Sequence, residues 1–168
     1  MILDKSDIFL FLIEKHKGII YKISNLYCKQ NEERKDLLQE ILLQLWKSFD
    51  NYNEQYKHST WIYRIALNVA ISFYRKEKTR AKISNPFSEA ILYTADVLKD
   101  ENNKEETVLL QQFLNELKEL DKALMILYLE EKSHKEIAEI IGITETNVAT
   151  KISRIKALLK QKFLQITI

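Results

Sequence analysis

The stretch that decides the fold of this chain is Ser133–Val148, which reads SHKEIAEIIGITETNV. Ser133 is followed three positions later by Glu136, the pattern of a capping box, so a short helix is expected to start there. Gly142 stands where that helix needs a left-handed residue, and Thr144 is placed to cap a second helix. The stretch therefore predicts two helices joined by a tight turn.

The second helix of this pair has a sustained apolar stripe, made of Val148, Ile152, Ile155 and Leu159. Its other positions combine groups that can read base edges with cations that can bind phosphate: Thr144, Thr146, Asn147, Thr150, Lys151 and Arg154. The small Ala138 lets the two helices approach each other. This combination is typical of a DNA-reading helix-turn-helix, although an ordinary helical hairpin would show much of the same pattern.

The rest of the chain is also expected to be helical. It has 168 residues but only two glycines and one proline, too few for the turns of a sandwich, barrel or hairpin meander. Because Gly18 and Gly142 cannot share a loop, the glycine-rich motifs that bind mononucleotides and dinucleotides are excluded.

Cofactor and metal sites have little support. The single Cys28 cannot form an intrachain disulfide or a cysteine zinc cluster, and the three histidines are dispersed. We expect Cys28 to be a buried apolar residue, and we predict no metal, no cofactor and no small-molecule substrate. The apolar run Ile8–Ile13 is too short for a membrane span or a signal peptide, which predicts a cytoplasmic protein.

Charge divides the chain into segments. Residues 57–82 hold seven basic residues and one acidic residue, 83–106 hold six acidic and two basic, and 144–163 hold five basic and one acidic. The middle segment contains Pro86 and has poor helical periodicity. The predicted domains are therefore 1–82 and 105–168, joined by a flexible acidic linker at 83–104. Two basic segments suggest two contacts with a polyanion, although solvated helix faces would look similar.

A second informative segment covers residues 51–76. If a helix begins after Ser59 or Thr60, helical spacing assigns its core stripe to Ile62, Ile65, Ala66, Val69 and Phe73. Another face carries Trp61, Arg64, Asn68 and Arg75, with Tyr52 and Tyr56 on the preceding loop. Such residues could hold an opened DNA strand by stacking and phosphate binding, or the aromatic rings could simply belong to the core.

Taken together, these motifs resemble bacterial RNA polymerase sigma factors of the compact extracytoplasmic-function (ECF) group, over nearly the whole chain. Residues 35–46, KDLLQEILLQLW, resemble the region 2 segment that contacts the clamp helices of the polymerase. Residues 59–68 and the following basic run are similar to the helix that melts and reads the minus-10 element. Residues 120–156 resemble region 4, which reads the minus-35 element and docks on the polymerase flap.

The resemblance implies an all-α fold of two domains, a non-enzymatic transcription initiation factor, and specific roles for residues. Core polymerase binding falls to Asp36, Leu37, Gln39 and Glu40. Minus-10 binding falls to Tyr52, Tyr56, Trp61, Arg64, Asn68, Arg75 and Lys76. Minus-35 binding falls to the six residues from Thr144 to Arg154 named above. Core RNA polymerase, promoter DNA and an anti-sigma factor are the expected partners.

The chain departs from the family pattern at three positions. Ser72 stands where an aspartate is common, and Asp121 stands where a proline often opens a helix, with Asp121 expected to cap that helix instead. Lys151 replaces a common arginine, which shifts the expected bidentate contact with guanine to Arg154. The alternatives are a stand-alone helix-turn-helix regulator, which would bind duplex DNA without polymerase, and a helical interaction protein that binds no DNA.

Overall fold

The computed structural model describes residues 3–84 and 105–166, which contain seven α-helices and no strand. The all-α prediction is confirmed. The helices are α1 (Lys5–Tyr27), α2 (Asn31–Ser48), α3 (His58–Ser84), α4 (Glu105–Glu116), α5 (Glu119–Leu129), α6 (His134–Ile141) and α7 (Glu145–Ile166). Within these ranges, no helix combines the length and the apolar character that crossing a bilayer requires.

The described residues form two compact units, one on each side of residues 85–104. The predicted linker at 83–104, including Pro86, lies outside the described residues apart from positions 83 and 84, which end α3. The exact domain boundaries therefore stay a prediction.

The first unit is a bundle in which α3 packs against both α1 and α2. Its centre is formed by fully buried aliphatic side chains, among them Ile20 and Ile23 of α1, and Leu37, Ile41 and Leu45 of α2. A three-residue 3₁₀ turn, Phe49–Asn51, leads from α2 toward α3.

The buried face of α3 differs from the predicted one. The structure buries Ile62, Tyr63, Ala66, Leu67, Ala70 and Ile71, whereas Ile65, Val69 and Phe73 are only half-buried. The buried face is centred roughly a quarter turn from the predicted stripe, because α1 and α2 both pack against that side of α3. The half-buried residues Ile65, Val69 and Phe73 line an open groove instead.

Helix ends in the first unit are held by polar side chains. Asp4 accepts a hydrogen bond from the Lys5 backbone N–H at 2.7 Å and begins α1. At the C-terminal end of α1, the guanidinium of Arg34 donates hydrogen bonds to the backbone carbonyls of Cys28 and Lys29, both at 2.8 Å. A cation at a helix C-terminus complements the helix dipole, so Arg34 of α2 fixes the junction between the two helices.

The second unit packs α5, α6 and α7 around one core, with α4 beside α5. Ala123, Leu124 and Leu127 of α5 are fully buried against the predicted stripe of α7, and Phe113 meets Phe163 edge-on at 5.0 Å. The N-cap predicted at Asp121 is wrong, because α5 begins at Glu119 with Lys118 as its N-cap. Asp121 lies within the first turn of α5, where its charge still favours the helix dipole.

The two glycines provide a matched pair of substitutions. Gly142 has φ +82°, whereas Gly18 lies inside α1, and a Cβ at either position meets no atom within 4 Å. We expect Gly142→Ala to lower the free energy of unfolding by about 1–2 kcal/mol, because alanine is strained in the left-handed region. Gly18→Ala should raise it by about 0.5–1 kcal/mol, because alanine favours a helix. Urea unfolding followed by far-UV circular dichroism measures both, and equal effects would contradict this account.

Cys28 provides a second prediction. Burial, with a smaller contribution from the Glu33 carboxylate, raises the pKa of the Cys28 thiol to about 12. The thiolate is the reactive form, so the folded protein at pH 8 should be alkylated by iodoacetamide about a thousandfold more slowly than an ordinary thiol. Labelling in urea should proceed at the ordinary rate. Rapid labelling of the folded protein would show that the thiol is accessible and ionised.

Candidate nucleic-acid and partner-binding surfaces

The helix-turn-helix predicted at 133–148 is present in full. The Ser133 hydroxyl accepts from the Glu136 backbone N–H at 3.1 Å, and the Glu136 carboxylate accepts from the Ser133 backbone N–H at 3.0 Å, which closes the capping box. Gly142 ends α6 in the left-handed conformation. The Thr144 hydroxyl then accepts from the Asn147 backbone N–H at 3.2 Å and begins α7. Local signals therefore fix where α6 ends and where α7 begins.

The predicted reading face of α7 is open to solvent on the side opposite its core. Thr146, Asn147, Thr150 and Arg154 are exposed, and Lys151 is half-buried. Their spacing of three and four residues places them along one side of the helix. Thr144 lies just before this face and uses its hydroxyl as the helix cap. The Thr150 hydroxyl donates to the Thr146 carbonyl at 2.9 Å, so Asn147 and Arg154 keep the more available polar groups of the face.

An aromatic cluster formed by Phe49, Tyr52, His58 and Trp61 lies where the 3₁₀ turn leads into α3. Tyr52 stacks on His58 at 4.7 Å between ring centroids and meets Trp61 edge-on at 5.3 Å. Phe49 lies 6.2 Å from Trp61 on the same measure. The sequence left two alternatives for Trp61, an exposed ring that binds DNA or a ring buried in the core. In the structure Trp61 is half-buried, which is between the two. Its remaining exposed surface is held in a fixed orientation by these neighbours.

Tyr52 is held in this cluster by its hydroxyl, which donates to the Tyr56 carbonyl. Burial, with a smaller contribution from Glu54, raises the pKa of Tyr52, so its hydroxyl remains protonated as a donor. The Tyr56 ring in turn lies under the Arg64 guanidinium, 5.4 Å from the ring centroid. The structure thus brings Tyr52, Tyr56, Trp61 and Arg64 together at the start of α3.

The other predicted minus-10 residues lie further along α3, and all are exposed. Asn68 and Arg75 share the side of the helix that carries Trp61 and Arg64, because they follow Trp61 by seven and fourteen residues. Lys76 lies on the adjacent side and faces α2 across a groove. The predicted surface is therefore continuous along α3 and starts at the aromatic cluster.

The groove between α2 and α3 was not predicted from the sequence. It is open, with a volume of about 690 Å³, and its floor is formed by the half-buried stripe Ile65, Val69 and Phe73. Asp36 and Glu40 line it from α2. The signal that could have revealed it is the spacing of these three apolar residues, which the sequence assigned to the core.

Three of the four residues predicted to bind polymerase are on the surface. Asp36, Gln39 and Glu40 are exposed on α2, whereas Leu37 is fully buried. Leu37 therefore supports this surface from inside the bundle and presents no atoms to a partner. Burial and the carboxylates of Glu77 and Asp36 raise the pKa of Glu33, a sign that negative charge is concentrated near this end of α2.

The residues that the structure describes contain no group of three or more histidine, cysteine or carboxylate side chains that could hold a metal ion. Cys28 is buried at the end of α1.

Two family models match the chain. Residues 12–80 match Sigma-70 region 2, and residues 107–159 match Sigma-70, region 4. The first match covers the bundle with the aromatic cluster and the groove, and the second covers the helix-turn-helix.

Similar sequences and structures agree with these models. RNA polymerase sigma factor SigZ of Bacillus subtilis (strain 168) is 31% identical over 128 residues, covering 75% of this chain and 70% of SigZ. ECF RNA polymerase sigma factor SigW of the same strain is 26% identical over 166 residues, covering 93% and 89%.

Two solved structures share the fold at 17% identity. The sigma factor RpoE, in complex with the anti-sigma factor NepR from Bartonella quintana, has a TM-score of 0.66, with 96% of each chain covered. CnrH, in complex with the cytosolic domain of CnrY, has a TM-score of 0.63 and covers 92% of this chain and 86% of its own.

Proposed function

We propose, since the chain belongs to the sigma-70 family through its region 2 and region 4 domains, that it binds core RNA polymerase and directs it to specific promoters. The observation that carries the proposal is that one chain holds both a helical bundle with an aromatic, basic surface and a helix-turn-helix whose second helix exposes Asn147 and Arg154. ECF sigma factors that match over most of their length support the ECF assignment.

Polymerase binding is assigned to the exposed face of α2. Asp36 and Glu40 bring negative charge, Gln39 brings an amide, and the apolar floor of the adjacent groove can bury part of a partner helix. A basic, amphipathic helix is the complementary partner, and charge complementarity selects for it over other helices. In the family, the clamp helices of the polymerase fill this role.

Promoter opening is assigned to the surface of α3 that starts at the aromatic cluster. Melting costs about 1.4 kcal/mol per base-pair step, and stacking of an unpaired base on an aromatic ring is worth about 1–3 kcal/mol. Tyr52 and Trp61 can supply such stacking, and Arg75 and Lys76 can bind the phosphates of the same strand. A flipped base would be held near Tyr52 to Trp61.

Recognition of the upstream minus-35 element is assigned to α7. Asn147 and Arg154 are the exposed groups suited to bidentate contacts with adenine and guanine, respectively. Thr144, Thr146 and Thr150 add single hydrogen bonds or phosphate contacts, and Lys151 adds a phosphate contact. The two domains would then bind two separate parts of one promoter.

An anti-sigma factor is a further proposed partner, because RpoE was solved in complex with the anti-sigma factor NepR and CnrH in complex with the cytosolic domain of CnrY. No catalytic role is proposed, and the place of action is the cytoplasm, where bacterial transcription occurs. The domain pair does not favour the stand-alone regulator, which would bind symmetric duplex half-sites without polymerase.

The polymerase surface can be tested by replacing Asp36, Gln39 and Glu40 together with alanine. We expect the wild type to retain core polymerase in copurification and the triple variant to bind it about tenfold more weakly or worse, because the charged face is lost. The matched control replaces Asp7, Glu14 and Asn25, which are two carboxylates and one amide exposed on α1. Failure of the wild type to retain polymerase would refute the sigma assignment.

The two DNA surfaces can be separated by sequence dependence. Holoenzyme with Arg154→Ala should bind promoters that carry the preferred upstream bases about five- to 150-fold more weakly than the wild type does. On promoters whose upstream bases are mutated, the same substitution should reduce affinity far less. Arg75→Ala or Lys76→Ala should weaken all promoters similarly and reduce the salt slope by about 0.7–0.9.

Gel shifts on promoters identified by run-off transcription measure these effects, with Lys160→Ala as a control for loss of an exposed cation on α7. Equal losses on every promoter variant for Arg154→Ala would refute its role as a base reader.

A further inference from the structure

The first turns of α1 contact the elements that carry the aromatic cluster. Phe9 is buried, and its ring meets Trp46 edge-on at 5.1 Å and Phe49 edge-on at 5.3 Å between centroids. Phe49 in turn contacts Trp61, which contacts Tyr52. A continuous series of ring contacts therefore runs from α1 to the two rings proposed to stack on an unpaired base.

Lys5 makes a second connection to the same place. Its ammonium group donates to the Asp50 carboxylate at 2.7 Å and lies 4.6 Å from the centroid of the Trp46 ring. Asp50 directly follows Phe49 and lies two residues before Tyr52. One cation thus ties the turn after α2 to the end of α2 itself.

The turn that these contacts hold is also joined to α2 and α3, since the Phe49 backbone N–H donates to the Trp46 carbonyl and the Phe49 ring contacts Trp61. Phe49–Asn51 is a three-residue 3₁₀ segment with no buried residue, and such short segments have poor hydrogen-bond geometry of their own. Its position is therefore set by contacts with neighbouring elements. To these contacts α1 adds the ion pair at Asp50 and the ring contact at Phe49.

We propose that Lys5 and Phe9 are positioning residues for strand opening, which hold the turn Phe49–Asn51 and thereby keep Tyr52 and Trp61 ready for an unpaired base. This proposal rests on the proposed function. Both residues precede residue 12, where the region 2 match begins, so the proposal is drawn from contacts in this chain. Neither residue needs to touch DNA.

The test measures opening of the minus-10 element by full-chain holoenzyme, using 2-aminopurine placed in the nontemplate strand of a promoter identified by run-off transcription. We expect Lys5→Ala and Asp50→Ala each to slow opening about two- to fivefold, the size expected for an exposed ion pair. The double variant should be no slower than Lys5→Ala, and Lys5→Arg should open at close to the wild-type rate.

The matched control is Lys17→Ala, which removes another exposed lysine of α1 that pairs with Glu14, away from the turn. It should leave opening unchanged, and all variants should bind a duplex probe of the upstream element equally well. Unchanged opening in Lys5→Ala and Asp50→Ala, with normal opening by the wild type, overturns the inference alone. A wild type that opens no promoter with core polymerase overturns the proposed function and the inference with it.

Phe9→Leu tests the ring contacts separately from the ion pair. Leucine keeps an apolar side chain in the core but loses the edge-on contacts with Trp46 and Phe49. We expect slower opening with unchanged binding of the upstream duplex probe. A lower melting temperature with unchanged opening would show that Phe9 acts only in stability, and would overturn its positioning role.

Discussion

The packing of α3 between α1 and α2 is the interaction on which the first unit depends. Ala66 and Ala70 are fully buried on α3, and their small side chains allow neighbouring helices to approach closely. This packing buries one side of α3 and leaves the opposite side accessible to binding partners. The half-buried floor of the groove and the exposed Asn68 and Arg75 are therefore consequences of how the core is built.

The groove places two proposed activities side by side. Its α2 wall carries Asp36 and Glu40, assigned to polymerase, and its α3 wall carries Lys76, assigned to the promoter strand. The two proposed contacts would therefore lie along one groove.

The sequence predicts the helix-turn-helix best, because its signals are local. A capping box, a left-handed glycine and a threonine cap each act within a few residues, and each is present as predicted. The N-cap assigned to Asp121 is wrong. Lys118, the actual N-cap of α5, makes no side-chain capping hydrogen bond, so the sequence carries no capping motif that would mark this helix start. The rotated face of α3, the groove and the position of Trp61 depend on how separate helices meet, which periodicity along one helix does not encode. The roles of individual site residues remain predictions.

The position of the two tryptophans in the chain also determines what intrinsic fluorescence can report about this protein. The chain has two tryptophans, and both Trp46 and Trp61 belong to the first unit, close to Phe49. Intrinsic tryptophan emission therefore reports on the region 2 bundle alone, while the helix-turn-helix unit contributes only tyrosine signal. A denaturation curve followed by emission near the tryptophan maximum describes one domain, and a curve followed by far-UV circular dichroism describes both. Any difference between the two curves isolates the behaviour of the unit that reads duplex DNA.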